Sequence, residues 1–360
     1  MEKPMKMEKT MRTTCFYIIL FVFGVCVPMV GFAQGSTSLP GLSNYQIPLE
    51  KKGALIGKVV IPSAKTMQEI TLLKDTSGLF RLDGMGCIRL KPRVRLKTST
   101  MGFRYGITIG IGGNPVDFEL VKDEFILNKV IAHRGAWKNQ NVPENSLGSL
   151  QRAIELGCEG SEFDVWLSSD KIPVVCHNAS VGGKLIEQTT ASELQKISLG
   201  KDDFVPTLEQ YLLAAKHQNR THLVLEIKSS EISQERSLEL TNAVVCMVHN
   251  LKVQAWVDYI SFNYGVLKRV HELDPDAKTA YLADDKKLEE LVADGITGID
   301  YPFYSFHKDE TLVKKAHQLG LTVNVWTVDQ EEELRYFITQ GVDRITTNEP
   351  EQLIKLITNH

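Results

Sequence analysis

The stretch Val130-Ile131-Ala132-His133-Arg134-Gly135, then Ser146 to Glu155 with Gly157 behind it, then Glu162-Phe163-Asp164-Val165-Trp166-Leu167, decides the fold. It reads as a short apolar strand, a helix closed by glycine, and a second strand. The same pairing recurs down the chain. A helix is expected at Thr207 to Lys216, then a strand at Leu223 to Ile227 and a helix from Glu235 to Asn250. The pairs Tyr259–Phe262 with Tyr264–Leu273, Thr279–Leu282 with Lys286–Ala293, and Gly298–Tyr301 with Asp309–Leu319 follow. Val323–Val328 with Glu331–Thr339 and Arg344–Thr346 with Pro350–Ile357 complete the series. Eight strand–helix units across residues 129–360 match the count and length of an α/β fold of the (β/α)8 or TIM-barrel type. The competing arrangement is an open doubly wound sheet, but no Gly-x-Gly-x-x-Gly follows the first strand.

Upstream of Lys129 the rhythm is that of short strands. Ala54 to Pro62 is apolar, and Gln68 to Leu73 alternates. Leu79–Leu82 and Cys87–Leu90 flank Asp83-Gly84-Met85-Gly86, while Phe103–Ile111 and Val116–Val121 flank Gly112-Gly113-Asn114-Pro115. Hairpins at this spacing predict a small all-β sandwich over residues 36–128. Its layout resembles the cadherin-like modules of secreted bacterial proteins, although no calcium-ligand cluster accompanies it. Arg89, Lys91, Arg93, Arg95 and Lys97 alternate at period 2 and are expected on one strand face. The spacing favours a solvated strand guarded against edge pairing by charge and by Pro92, over a patch for anionic lipid or polysaccharide.

The first residues read differently again. Lys3, Lys6, Lys9 and Arg12 precede an apolar run from Cys15 to Val30, and Gly31-Phe32-Ala33 supplies small residues. This is the layout of a secretory signal cleaved after Ala33, so residues 1–33 are expected to be removed and the protein exported, to the periplasm or outside the cell. The run is shorter than the about 20 residues that span a bilayer, and Pro28 interrupts it, so no stable membrane span is expected in the mature chain. With 41 basic against 44 acidic residues the net charge is −3, which argues against a dedicated nucleic-acid binder. Four of the six cysteines, Cys87, Cys158, Cys176 and Cys246, lie beyond Ala33. Their spacing fits no metal motif, and Cys158, Cys176 and Cys246 sit in apolar contexts that predict buried free thiols.

In a (β/α)8 barrel the chemistry sits at the C-terminal ends of the strands. There the first strand offers His133-Arg134-Gly135, the second Glu162-Phe163-Asp164, the third Glu226-Ile227-Lys228, the seventh Trp326 and the eighth Thr346-Thr347-Asn348. Period 2 puts Glu162 and Asp164 on the same face of their strand, and likewise Glu226 and Lys228 on theirs. Neighbouring strands would then gather three carboxylates, whose mutual repulsion a hard cation removes. Mg²⁺ or Ca²⁺ suits three oxygen ligands; ion pairs at the barrel rim are the alternative. Ser168-Ser169-Asp170-Lys171 reads as a turn, with Pro173-Val174-Val175-Cys176-His177 returning. A hairpin centred between Asp170 and Lys171 sets Asp164 opposite His177. Two histidines, a cation and two cationic side chains suit phosphodiester cleavage. Histidine titrates near neutrality and can serve as base or acid. Arg134 offers a fork and Lys228 a point charge for phosphate.

These residues resemble the glycerophosphodiester phosphodiesterases. The resemblance rests on His133-Arg134-Gly135, Pro143-Glu144-Asn145-Ser146, Gly160-Ser161-Glu162-Phe163-Asp164-Val165 and Pro173-Val174-Val175-Cys176-His177. Pro206-Thr207-Leu208-Glu209, Leu225-Glu226-Ile227-Lys228 and Val325-Trp326-Thr327-Val328 extend it, all in family order. It covers about residues 129 to 357. It implies a metal-dependent hydrolase with Glu162, Asp164 and Glu226 on the cation, His133 and His177 as the acid–base pair, and Arg134 and Lys228 on the phosphate. The implied reaction converts a small-molecule glycerophosphodiester and water to an alcohol and sn-glycerol 3-phosphate. It runs either through a cyclic phosphate or by direct attack of water. Glu144 and Asn145 match the family's Glu-Asn pair in a supporting role. Trp326 packs either against the glycerol or leaving group, or into the barrel core. Asn178 stands where the family commonly has Asp. Residues Val181 to Asp203 fall where the family carries an extra segment over the barrel mouth.

Two other functions compete. One is a related barrel acting on intact lipids, a phospholipase or sphingomyelinase-like enzyme, for which Tyr301, Phe303, Tyr304 and Phe306 could supply an apolar rim. The other is a noncatalytic binding protein on a decayed barrel, which the presence of all three carboxylates and both histidines disfavours.

Overall fold

The structure is a computed structural model that describes residues 39–61 and 69–358. The expected signal segment, residues 1–33, lies outside them. Eight parallel strands form the barrel: β1 (Val130–Ala132), β2 (Gly160–Leu167), β3 (His222–Ile227), β4 (Val257–Ser261), β5 (Thr279–Tyr281), β6 (Gly298–Pro302), β7 (Thr322–Trp326) and β8 (Arg344–Thr347). Each pairs with the next, and β8 and β2 both pair with β1, which closes the ring. The fold is a TIM barrel.

Local sequence explains the boundaries. The helix Leu147–Leu156 starts at Ser146, whose hydroxyl accepts from the Ser149 N–H, and stops at Gly157, which takes a left-handed φ of 76°. The helix Leu208–Ala215 begins at Thr207 with the same reciprocal cap to Gln210. The expected helix over Asp309–Leu319 is shorter, Leu312–Gln318, and a separate helix, Phe303–Lys308, precedes it. Inside the ring Ile131, Val224, Ile260 and Leu282 form the floor. Outward-facing residues such as Phe163, Leu225 and Val257 join the helices in a larger core.

Before the barrel, two four-stranded sheets form a small β-sandwich. One orders Gly41–Leu42, Leu55–Val60, Cys87–Leu90 and Phe80–Leu82; the other orders Gln46–Ile47, Asn114–Lys122, Arg104–Ile111 and Ile70–Asp75. Gly112 and Gly113, at φ 55° and 85°, make the two-residue turn that joins the longest hairpin, a conformation for which glycine pays no steric penalty. The basic run departs from expectation. Its strand ends at Leu90, and Lys91–Val94 is a β-turn in which Val94 N–H donates to Lys91 O at 2.9 Å. Pro92 sits second in that turn, where its fixed φ fits and its missing N–H costs nothing. Only Arg89 therefore lies on a strand, and that strand is internal.

The sandwich packs against the end of the barrel where the strands begin. Leu39 N–H donates to Leu273 O at 2.8 Å and Ile126 N–H to Arg220 O at 2.8 Å. Gln46 Nε2 donates to Ala255 O at 2.9 Å. Phe125 stacks on His222 at 4.0 Å between ring centroids. One continuous apolar core runs from Leu42, Ile88 and Phe118 to Tyr211, Val244 and Trp256. The four cysteines are free thiols. Cys158 is buried, but Cys176, just past the end of its strand, and Cys246, within the helix Gln234–Leu251, are only partly so. Among the described residues no helix is long and apolar enough to cross a membrane.

Candidate active site

The opposite end of the barrel holds the candidate site. Glu226 on β3 lies one inward step above the floor residue Val224, and Asp164 on β2 is its register partner. Glu162 is two residues back on β2, on the same inward face. The three carboxylates are buried and bring oxygens within 4.8 Å of one another. Burial and the charges of Asp164 and Glu226 push Glu162 well above the usual carboxylate range. Glu226 is pushed up to about 8, first by burial and then by Asp164. Asp164 is held low: burial opposes this, but Lys228, His177, Asn145 and Arg134 outweigh it. Lys228 Nζ reaches Asp164 Oδ1 at 3.1 Å and Glu226 Oε1 at 2.9 Å. Lys228 reaches two of the three buried acids and leaves Glu162 without a lysine or arginine side chain in contact, and an all-oxygen donor set of this kind fits a hard divalent cation.

The loop after β1 is shaped around this cluster. Arg134 adopts φ 55° and Gly135 φ 78°, which turns the Arg134 N–H onto Glu162 Oε2 at 2.8 Å. A side chain on Gly135 would press into the Ser149 backbone, 2.7 Å from its carbonyl carbon. The Arg134 guanidinium holds both Glu144 oxygens, at 3.0 and 3.1 Å, and its Nε stands 4.0 Å from Asp164. Asn145 fixes Asp164 from two sides: Nδ2 donates to Oδ2 at 2.9 Å, and Oδ1 accepts the Asp164 N–H at 3.1 Å.

His133 Nε2 lies 3.9 Å from Glu162, and its Nδ1 is 2.9 Å from Asn348 Oδ1. Asn348 Nδ2 donates to Asp329 at 2.8 Å. That bond orients the amide so that Oδ1 must accept, which puts the proton on Nδ1 and frees Nε2. His177 reaches the same cleft by a different register from the expected one. Val165 pairs with Val175, so Asp164 faces Cys176, not His177. The turn holds an extra left-handed residue, Lys171 at φ 62°, which shifts the pairing by one. The strand ends at Val175, so His177 is past the ladder and free of its alternation. Its carbonyl accepts from Trp166 Nε1 at 3.1 Å, and its Nδ1 lies 3.0 Å from Asn178 Oδ1. Burial lowers the pKa of both histidines.

A cleft of about 170 Å³ is lined by His133, His177, Glu162, Glu226, Arg134 and Lys228 on one side. Phe262, Trp326, Asp300 and Thr346 line the other. Trp326 is half-buried: its Nε1 donates to Asp300 O at 2.7 Å, its ring meets Phe262 edge-on, and it lines the cleft. The aromatic rim is divided, since Tyr301 and Phe306 are buried while Phe303 and Tyr304 are 38% and 49% exposed. The segment after His177 folds over a small core of its own, Trp166, Val174, Ile186, Ala191 and Leu194. Sequence reading gave no role to Asn348, Asp329 or Asp300. Asp300, pushed up to about 7 by burial, could have been found from its inward position on β6.

The sequence model of the glycerophosphoryl diester phosphodiesterase family matches residues 133–352. A glycerophosphodiester phosphodiesterase of Caldanaerobacter subterraneus is 30% identical over 247 residues, which is 63% of this chain and 97% of that one. A crystal structure of a glycerophosphodiester phosphodiesterase from Parabacteroides distasonis superposes with a TM-score of 0.63 at 40% identity, covering 65% of this chain and 98% of that one. An Oleispira antarctica phosphodiesterase, solved in complex with the product sn-glycerol-3-phosphate, superposes with a TM-score of 0.56 at 26% identity, covering 65% and 98%. With its barrel, its acidic cluster and this match, the chain belongs to the glycerophosphoryl diester phosphodiesterase family.

Proposed function

We propose that the protein hydrolyses glycerophosphodiesters to an alcohol and sn-glycerol 3-phosphate with the help of a divalent cation, Mg²⁺ or Ca²⁺. The observation that carries this reading is the convergence of three buried carboxylates, two histidines, an arginine and a lysine on one cleft. Glu162, Asp164 and Glu226 would hold the cation, which when bound supplies positive charge to the phosphodiester oxygens. Arg134 and Lys228 add fixed cations on the same wall, and Glu144 and Asn145 hold Arg134 and Asp164 in place. His133 and His177 are the acid–base pair. Burial favours the neutral imidazole that takes the nucleophile's proton, and the partner histidine, which enters the step protonated, gives its proton to the leaving oxygen. The product complex of the Oleispira relative supports the glycerol phosphate side of the substrate. Export after cleavage at Ala33, and a division at residues 128 and 129 between sandwich and barrel, belong to the same reading.

The test is turnover on a panel of glycerophosphodiesters with different head groups, beside micelles of intact phospholipid and sphingomyelin. Release of sn-glycerol 3-phosphate from the soluble diesters is the expected result. Faster turnover of the micelles would replace this reading with the lipid-directed one. Substrate binding without turnover in either metal would favour the noncatalytic one.

A further inference from the structure

The run Arg89–Lys97 lies outside the family match, which begins at residue 133. The structure removes the simplest explanation for its charge. The strand Cys87–Leu90 is paired on both sides, so these cations guard no sheet edge. Beyond Leu90 they line a turn and a loop at the surface, where Lys91, Arg93, Arg95 and Lys97 are all exposed.

Backbone pairing adds more cations to the same surface. Glu50 N–H donates to Leu96 O at 2.9 Å and Gly53 N–H to Val94 O at 3.0 Å, which lays exposed Lys51 and Lys52 beside the run. Arg81 is the register partner of Arg89 across the adjoining hairpin, a like-charge juxtaposition that costs stability unless something else compensates. Arg89 pairs with Asp83 and Arg95 with Glu50. Lys51, Lys52, Arg81, Lys91, Arg93 and Lys97 form no ion pair among the described residues. Two exposed apolar side chains accompany the run, one by strand register and one in sequence. Leu55, the other register partner of Arg89, is 44% exposed, and Met101, four residues after Lys97, is 93% exposed. None of these cationic side chains takes part in the contacts between sandwich and barrel.

We propose that this face of the β-sandwich docks the protein onto anionic phospholipid bilayers. A bilayer surface rewards both features of the patch: negative headgroups attract clustered Lys and Arg, and the interface accepts an apolar side chain such as Met101. A soluble polyanion would use only the charge. The sandwich packs at the end of the barrel where the strands begin, and the cleft opens at the other. A molecule held through the sandwich therefore keeps its cleft open to water, where soluble phosphodiesters are found. This last point rests on the proposed function; the docking surface does not.

The experiment is co-sedimentation of the full chain with phosphatidylcholine vesicles, with and without phosphatidylglycerol, and with soluble dextran sulfate as competitor. Binding is expected only to the vesicles with phosphatidylglycerol, and it should weaken steeply with added salt. Each surface cation is worth about five-fold in affinity, so the Lys91→Gln, Arg93→Gln, Arg95→Gln, Lys97→Gln variant should bind at least about a hundred-fold more weakly. Met101→Ser should also reduce binding. Both variants should keep the circular dichroism spectrum and the turnover of a soluble diester. Equal binding to neutral vesicles, unchanged binding by the four-residue variant, or capture by dextran sulfate without vesicle binding would overturn the proposal. Loss of diester turnover by the wild type would instead count against the proposed function and leave the docking result standing.

Discussion

His133 depends on a residue that approaches it from the far end of the barrel sequence. Asn348 Oδ1 accepts the hydrogen bond of the His133 Nδ1–H, and Asp329 holds Asn348. His133→Ala and His177→Ala should each lower kcat by about 10²- to 10⁴-fold without loss of folding. Asn348→Ala should cost less, roughly tenfold, because it removes one orienting hydrogen bond and leaves the imidazole. Steady-state kinetics with a circular dichroism control distinguishes these grades, and equal losses in all three would argue against the orienting role. The carboxylates were legible in the sequence because period 2 and strand adjacency suffice to bring Glu162, Asp164 and Glu226 together. The Asn348–Asp329 contact was not, because it depends on how two loops meet above β7 and β8, and no local spacing encodes that. His222, at the other end of the barrel, offers a pH test. Burial against Phe125 lowers its pKa to about 4. The unfolded chain, with an ordinary histidine, binds more protons between pH 6.5 and 4, so stability rises with pH across that window and is lost on acidification. The full effect is on the order of 3 kcal/mol. Melting temperatures measured from pH 7 to 5 should fall less steeply in His222→Gln than in the wild type.

At the scale of single elements, the loop after β1 carries the tightest constraint. Gly135 combines a left-handed φ with a close approach to the Ser149 backbone. Gly135→Ala should destabilise the fold by about 2 kcal/mol or more and displace Arg134 from Glu162. Urea unfolding measures the first effect, and a raised KM for diesters measures the second. An alanine variant with wild-type stability would mean that the loop can relax. The hairpin after β2 shows how far a sequence argument reaches. Its existence follows from Ser168-Ser169-Asp170-Lys171, but its register depends on whether Lys171 takes a left-handed φ, a choice open to any non-proline residue at modest cost. The basic run shows the reverse failure. Alternating charge resembled a strand, yet Pro92 could occupy a turn more comfortably than a ladder, and the chain turned there.

For the whole molecule, the shared core joins sandwich and barrel, and it predicts one cooperative unfolding transition in calorimetry. Two separated transitions would mean that the two regions are stabilised independently. Phe125→Ala, which removes the ring stacked on His222, should lower that single transition by about 3–5 kcal/mol of stability. The eight-unit barrel could be read from alternation alone, because each unit repeats the same local signals. Where the sandwich sits could not, because the contacts of Gln46, Phe125 and Ile126 with the barrel join residues far apart in sequence. That placement leaves the cleft clear for its chemistry, and the account stands on what the cleft requires. The most direct measurement is release of sn-glycerol 3-phosphate from glycerophosphocholine in excess chelator, followed by restoration of Mg²⁺ or Ca²⁺. The account predicts no release until a cation is restored, and full turnover in excess chelator would contradict it.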